Sequence, residues 1–107
     1  MDVDFERAAE IATLNDKCRS TRIRVVLTAG VNDTLSDIMG LMQAVRDFDL
    51  FTEDNDPYGE HDFGPLEWHG SKVFWKIDYY DPELKYGCDP LDVGCKRVLT
   101  VMLASEY

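Results

Sequence analysis

Two stretches of the chain carry apolar residues at helical spacing. Within Asp4–Cys18, apolar side chains recur at steps of three and four residues, with acids early and bases late, an order that the helix dipole favours. A second run opens at Asn32 or Asp33, each a plausible N-cap, and keeps the same spacing as far as Phe48. We therefore predict two helices, the second containing Gly40 as a weak point or a close-packing contact.

Four other stretches have the composition of strands. The segment Arg22–Ala29 is rich in β-branched residues and is followed by Gly30. FGPLEWH and SKVFWKIDYYD resemble two strands joined at His69-Gly70, because Val73, Trp75, Ile77 and Tyr79 alternate with the residues between them. This pattern predicts a hairpin. The apolar run KRVLTVMLA, near the end of the chain, predicts a final strand.

The order of these elements is helix, strand, helix, strand, strand, strand. Such an order predicts an α+β fold, with two helices packed on one face of a mainly antiparallel sheet of about four strands. The 107 residues suit one compact domain spanning residues 1–107. Because 45% of the residues are hydrophobic and 30% are charged, we expect a folded, soluble chain with no membrane span. The acidic N-terminus lacks the basic start of a signal peptide, so we expect a cytoplasmic protein.

The negative charge is concentrated in the middle of the chain. Residues 47–92, the acidic segment, carry a net charge of −10, whereas the residues before and after them carry −1 and +1. Within it, DFDLFTEDNDPYGEHD has seven carboxylates and no Lys or Arg. Such a field repels nucleic acid and attracts basic protein surfaces. Direct binding to nucleic acid is therefore not expected, although a solvated acidic face without a partner is the simpler alternative.

The first functional hypothesis is a protein that binds a basic partner, in the extreme case as a nucleic-acid mimic that inhibits a restriction or CRISPR nuclease. Duplex DNA carries one charge per about 1.7 Å of axis, so a mimic needs carboxylates spread over one rigid face. The candidate docking residues lie in one loop and at the end of the hairpin that follows it: Glu53, Asp54, Asp56, Glu60, Asp62, Asp78, Asp81 and Glu83.

The loop NDPYGEHDFG, residues 55–64, also raises the question of metal binding. It fails the EF-hand pattern at Tyr58 and Pro65, and the chain lacks the Cys and His spacing of a zinc site. We expect no metal and no cofactor, leaving as an alternative a loosely held hard cation at the loop's acids: Asp54, Asp56, Glu60 and Asp62.

Catalysis by the same loop is a second alternative. Glu60, His61 and Asp62 are neighbouring titratable residues of the kind that serve as general acids or bases. The favoured interpretation is structural: a turn built by residues 55–59, with His61 hydrogen-bonded to a nearby carboxylate or carbonyl. Cys88 and Cys95 bracket a short loop and could close a disulfide, but free thiols suit the cytoplasm better.

The second functional hypothesis is a small enzyme or ligand-binding domain with a pocket around His61. Aromatic side chains with a few polar groups suit such a pocket, and the candidates are Tyr58, His61, Trp75, Tyr79 and Tyr80. Strand alternation would place Trp75 and Tyr79 on one face and Tyr80 on the other. Aromatic side chains more often fill a core or support a dimer interface than line a pocket. We therefore expect binding to a protein partner rather than catalysis.

Three segments carry a family resemblance: FTEDNDPYGEHDFG, VFWKIDYYD and RVLTVMLASEY. They resemble the signature blocks of a family of small bacterial proteins catalogued as domain of unknown function 3768, over roughly residues 10–107. The resemblance implies cytoplasmic, single-domain proteins, found largely in proteobacteria and often encoded on plasmids or other mobile elements. The loop around Cys88 and Cys95 departs most from the family pattern.

Overall fold

Three α-helices and a four-stranded sheet make up the described part of the chain. The computed structural model describes residues 5–107. The elements in chain order are α1 (Phe5–Thr21), β1 (Val25–Leu27), α2 (Ala29–Thr34), α3 (Ile38–Asp47), β2 (Phe63–Trp68), β3 (Ser71–Tyr80), β4 (Lys96–Leu103) and a 3₁₀ helix (Ala104–Glu106). The predicted α+β class is confirmed.

Helix α1 agrees with the first predicted helix and extends three residues beyond its predicted end. The predicted first residue, Asp4, lies outside the described residues. The buried stripe of α1 continues past its apolar residues into two polar ones, and consists of Ala8, Ile11, Ala12, Asn15 and Arg19. Polar side chains on a buried stripe need partners in the interior.

The second predicted helix is in fact two helices. Thr28 caps α2 by accepting a hydrogen bond from the amide of Val31, and Asp37 caps α3 by accepting one from Gly40. Asn32, the first predicted cap, therefore lies inside α2. The carboxylate of Asp37 lies so close to Gly40 that a Cβ there would be 2.3 Å from Oδ2. The close-packing interpretation of Gly40 is therefore the correct one.

The sheet is mixed, with strand order β1-β4-β3-β2. Strands β2, β3 and β4 are antiparallel neighbours, which agrees with the predicted, mainly antiparallel sheet. Strand β1 pairs parallel with β4, and Val25 lies opposite Leu99. Strand β1 is shorter than the predicted segment 22–29 at both ends: it begins at Val25, and after Leu27 the chain enters α2, with Thr28 as its cap and Ala29 as its first residue.

The predicted hairpin is confirmed. Strands β2 and β3 pair from Phe63 with Lys76 to Trp68 with Ser71, and the turn is His69-Gly70. Both turn residues have positive φ, 49° and 84°, as a two-residue type I′ turn requires.

The core lies between the helices and one face of the sheet. Val73, Trp75 and Ile77 on β3 alternate with outward-facing residues and are almost fully buried, together with Leu99 and Val101 of β4. The helices cover these side chains with Val31, Leu41, Met42 and Val45. The predicted packing of the helices on one face is therefore observed.

The topology brings two loops to the same end of the sheet. Phe63, the first residue of β2, pairs with Lys76 near the end of β3. Tyr80, the last residue of β3, pairs with Lys96, the first residue of β4. The loop of residues 48–62 and the loop of residues 81–95 therefore both lie at this end.

Candidate functional site: the acidic end of the sheet

Side-chain hydrogen bonds hold the loop of residues 48–62 in shape. The Oδ1 of Asn55 accepts a hydrogen bond from the amide of Thr52 at 3.0 Å, and the amide of Asp56 donates to the carbonyl of Thr52 at 2.8 Å. The Oδ1 of Asp56 accepts from the amides of Glu60 and His61 at 3.0 and 3.2 Å. Asp56 is only 8% exposed. It closes the loop from within, so it does not belong to an exposed docking set.

His61 is anchored by a carboxylate and an aromatic ring. Its Nδ1 lies 2.9 Å from Oδ1 of Asp16 on α1, and its ring stacks on Phe51 with centroids 3.9 Å apart and planes within 1°. Its Nε2 lies 3.8 Å from Oδ2 of Asp56. The backbone of His61 has φ 56°, a conformation that its neighbours must stabilise. These contacts agree with the structural interpretation of His61.

Arg19 is the buried centre of this cluster. Its Nη1 donates to the carbonyls of Val45 and Phe48 at 2.7 and 2.9 Å, and its Nη2 donates to Asp16 at 2.8 Å. The guanidinium also lies 4.6 Å from the ring of Trp75. Arg19 thereby satisfies carbonyls at the end of α3, which have no partner within the helix.

The sequence interpretation missed both polar residues of the buried stripe. Asn15 is fully buried; its Nδ2 donates to the carbonyl of Glu60 at 2.9 Å and to the hydroxyl of Tyr79 at 2.8 Å. The signal was present, because Asn15 and Arg19 continue the spacing of Ala8, Ile11 and Ala12.

The aromatic residues of the predicted pocket do not form one wall. Trp75 is 0% exposed and belongs to the core, whereas Tyr58 is 64% exposed. Tyr79 faces the helices, where burial raises its pKa to about 12, and Tyr80 lies on the opposite face, as alternation predicts. Trp75 therefore cannot line a pocket that is open to a ligand.

Asp62 lies close to three other predicted docking acids, Asp56, Glu60 and Asp78. The amide of Ile77 donates to the carbonyl of Asp62 at 2.8 Å, which places Asp62 beside the end of β3. Partial burial, then the charge of Asp62, raise the pKa of Glu60. Partial burial also raises the pKa of Asp62, and the charges of Asp56 and Asp78 add to this effect. Asp78 forms an ion pair with Lys76 at 2.7 Å.

The remaining predicted acids have different surroundings. Glu53 and Asp54 are exposed. Oδ1 of Asp81 accepts a hydrogen bond from the amide of Lys85 at 2.9 Å, so this side chain shapes the turn after β3. Glu83 lies 3.7 Å from the ammonium of Lys85, and both side chains are largely exposed. Such an exposed pair contributes little to stability.

The described residues contain no group of three or more His, Cys, Asp or Glu side chains arranged to hold a metal ion. The acids considered for a loosely held cation at residues 54–62 do not converge, because Asp56 turns inward to backbone amides. None of the helices in residues 5–107 has the length and apolar character needed to cross a membrane.

The three cysteines of the chain are free thiols. Cys88 donates to the carbonyl of Tyr80 at 3.1 Å. Partial burial, together with a hydrogen bond with Cys95, raises the pKa of Cys88 to about 11. A thiol with so high a pKa is a weak nucleophile at neutral pH.

Comparison with known proteins identifies the family and no individual relative. No curated protein and no solved structure matches the chain. A family model described as "Protein of unknown function (DUF3768)" matches residues 11–106, nearly the whole chain and the same region as the resemblance seen in the sequence. The chain therefore belongs to the DUF3768 family.

Proposed function

We propose that this protein binds a basic surface of another protein through the acidic end of its sheet. The observation that carries the proposal is topological. The start of β2, the end of β3 and the start of β4 lie together, so the acids of residues 48–62 and those of residues 78–83 are presented at one end. An acidic surface of this kind steers a basic partner into encounter and favours its orientation.

The raised pKa values of two acids at this end of the sheet favour a cationic partner. The pKa values of Glu60 and Asp62 are raised by partial burial and by neighbouring carboxylates, which means that holding these groups ionised together costs free energy in the isolated protein. Lys or Arg side chains of a partner would offset this cost. Asp89 is not counted in the docking set, because Arg7 already binds its carboxylate at 2.7 Å.

Exposed aromatic and aliphatic side chains accompany the acids. Tyr58 in the first loop is 64% exposed, and Leu84 and Tyr86 in the second are 47% and 73% exposed. Tyrosine is enriched in protein interfaces, where its ring provides contact area and its hydroxyl a hydrogen bond. The mixture of carboxylates and apolar side chains suits a protein partner better than a small cation.

Nucleic-acid mimicry is the specific form of this proposal. A partner that normally binds a phosphate backbone presents rows of Lys and Arg at the spacing of phosphates. The exposed carboxylates of Glu53 and Asp54, with the partly buried ones of Glu60 and Asp62, would occupy such a row. Nucleases of restriction or CRISPR systems are partners of this class.

The test is an affinity capture from the native host at low and at high salt. The docking variant carries Glu53→Gln, Asp54→Asn, Glu60→Gln and Asp62→Asn. The control variant makes the same change in charge at acids outside the docking set that are also exposed: Glu6→Gln, Glu10→Gln, Asp33→Asn and Glu67→Gln. Both variants should first be shown to fold by circular dichroism.

We expect the wild type and the control to recover the same basic protein at low salt, and the docking variant to lose it. At 1 M salt, where the Debye length is about 3 Å, neither the wild type nor either variant should recover the partner. If the recovered protein binds DNA or RNA, an excess of the wild type should displace the nucleic acid. Equal recovery by the docking variant and the wild type would contradict the proposal.

A further inference from the structure

A cleft with basic walls lies at the same end of the sheet as the acidic loop, but at the opposite edge, beside β1. It has a volume of about 190 Å³ and lies between the second half of α1, the residues entering β1 and the start of β4. Its charged and sulfur-bearing lining consists of Lys17, Cys18, Arg24, Cys95 and Arg97. No Asp or Glu among the described residues 5–107 lines it, although acids outnumber bases 21 to 11 in the chain.

Arg97 is held in place by neutral groups. Its Nε donates to Oδ1 of the fully buried Asn15 at 2.7 Å, and its Nη2 donates to the carbonyl of Pro90 at 2.7 Å. The guanidinium lies 5.2 Å from the centroid of the Tyr79 ring. A half-buried arginine is usually balanced by a carboxylate, yet within residues 5–107 Arg97 forms no ion pair with one.

Two further cations face the cleft without a carboxylate partner. Neither Lys17 nor Arg24 forms an ion pair with any Asp or Glu of the described chain. Arg24 is fixed at its backbone, since its carbonyl accepts a hydrogen bond from the amide of Leu99 at 2.9 Å. Burial raises the pKa of the neighbouring Cys18 thiol, so this side chain remains neutral at pH 7 and adds no negative charge.

We propose that this cleft binds a small phosphate-bearing anion through Lys17, Arg24 and Arg97. The guanidinium of Arg24 offers paired donors that match two phosphate oxygens, and Lys17 adds a mobile point charge. Arg97 adds its positive charge and the Nη hydrogens that Pro90 and Cys95 leave free. Three positive charges favour a dianion over a monoanion such as acetate. The volume is below the usual range for drug-sized ligands, so the ligand is a small phosphate compound and not a polymer. Anion binding here does not require a partner at the acidic docking surface.

The test is a calorimetric titration with inorganic phosphate at constant ionic strength, with sodium acetate as a second probe. The variants are Lys17→Gln and Arg24→Gln, because neither side chain forms a hydrogen bond with another residue of the described part of the chain. The matched control is Arg22→Gln, because Arg22 is exposed, lies two residues from Arg24 and points to Gln43 instead.

We expect phosphate to bind the wild type and the control equally, and each cleft variant to bind it at least about tenfold more weakly, as the loss of one charge-assisted contact implies. Phosphate should also slow the alkylation of Cys18 and Cys95 by iodoacetamide, because both thiols line the cleft. Equal binding of acetate and phosphate would overturn the proposal, as would an equal loss in Arg22→Gln or no phosphate binding at all.

Discussion

The Oδ1 atom of Asp16 lies 2.9 Å from Nδ1 of His61, and the same oxygen accepts a hydrogen bond from Nη2 of Arg19 at 2.8 Å. One carboxylate on α1 therefore joins the acidic loop to the arginine that holds the end of α3. The position of the docking loop depends on this junction, although Asp16 itself lies outside the acidic segment.

Asp16→Ala should destabilise the protein by about 2 kcal/mol. The substitution leaves the guanidinium of Arg19, whose side chain is only 4% exposed, without its carboxylate, and it removes the anchor of His61. Urea denaturation would measure the loss. Glu10→Ala, at an exposed position of the same helix, should change the free energy of unfolding by less than about 0.5 kcal/mol; similar losses in the two variants would contradict the role of Asp16.

Gly64→Ala should destabilise the core by about 1–3 kcal/mol through overpacking. A Cβ at residue 64 would lie 2.5 Å from Nε1 of Trp75 and 2.8 Å from the ring of Phe48. The indole would have to move, so tryptophan fluorescence should change together with the midpoint of urea unfolding. At Gly87 the nearest atom to a Cβ is 3.8 Å away, and Gly87→Ala is the control with little expected effect. An unchanged midpoint in Gly64→Ala would show that the core adapts.

The double variant Glu60→Gln, Asp62→Asn should be more stable than the wild type at pH 7, by about 0.5 kcal/mol. The pKa values of both groups are raised in the folded protein above their ordinary values of 4.5 and 3.8. The folded state thus binds these protons more tightly than the unfolded state. The resulting cost is absent below the ordinary pKa values, grows as the pH rises through the folded ones, and is complete above them.

The gain in stability of this double variant should therefore shrink as the pH falls from 7 towards about 4. Thermal unfolding at several pH values measures it. A pH-independent difference would mean that the effect does not come from ionisation of these carboxyls. A gain in stability together with a loss of partner binding would show that Glu60 and Asp62 serve binding at a cost in stability.

Glu106→Gln should lower the melting temperature at pH 7 by roughly 2–5 °C. The carboxylate accepts hydrogen bonds from the hydroxyl of Thr28 at 2.7 Å, from the amide of Leu103 at 2.8 Å and from that of Gly30 at 3.1 Å, and these contacts hold the pKa of Glu106 below its usual 4.5. Because this pKa is lowered, the contribution of Glu106 to stability is complete above about pH 4.5. It is lost as the pH falls through the pKa that Glu106 has in the folded protein.

The difference between Glu106→Gln and the wild type should accordingly vanish in acid. Glu67→Gln, an exposed substitution on β2, is the control and should melt like the wild type at every pH. A Glu106→Gln variant with unchanged melting at pH 7 would show that the carboxylate does not hold the end of the chain to Thr28.

The local sequence pattern was sufficient to predict the hairpin. It was not sufficient to predict that the second helix is divided into two. Alternation on β3 and the pair His69-Gly70 fixed the turn, because both signals act within a few residues. The split at residues 35–37 was missed because the apolar spacing continues across it, and only the capping side chains of Thr28 and Asp37 reveal two starts.

The His61 cluster and the basic cleft depend on contacts between remote segments. Asp16 meets His61 across 45 residues, and Arg97 meets Asn15 across 82. Sequence neighbours cannot reveal such pairs, although polar residues on the buried stripe of α1 indicated that partners exist. Asp56 was misjudged for the related reason that a carboxylate in an acidic run can turn inward to backbone amides.

The parallel pairing of β1 with β4 also governs the order of events during synthesis. Val25 finds its partner Leu99 only after another 74 residues have been added, and β4 separates β1 from the rest of the sheet. A nascent chain that ends before residue 96 can form the hairpin of β2 and β3, but β1 then has no strand to join. Contacts this distant along the chain slow folding, so the sheet is completed only after the C-terminal strand has left the ribosome.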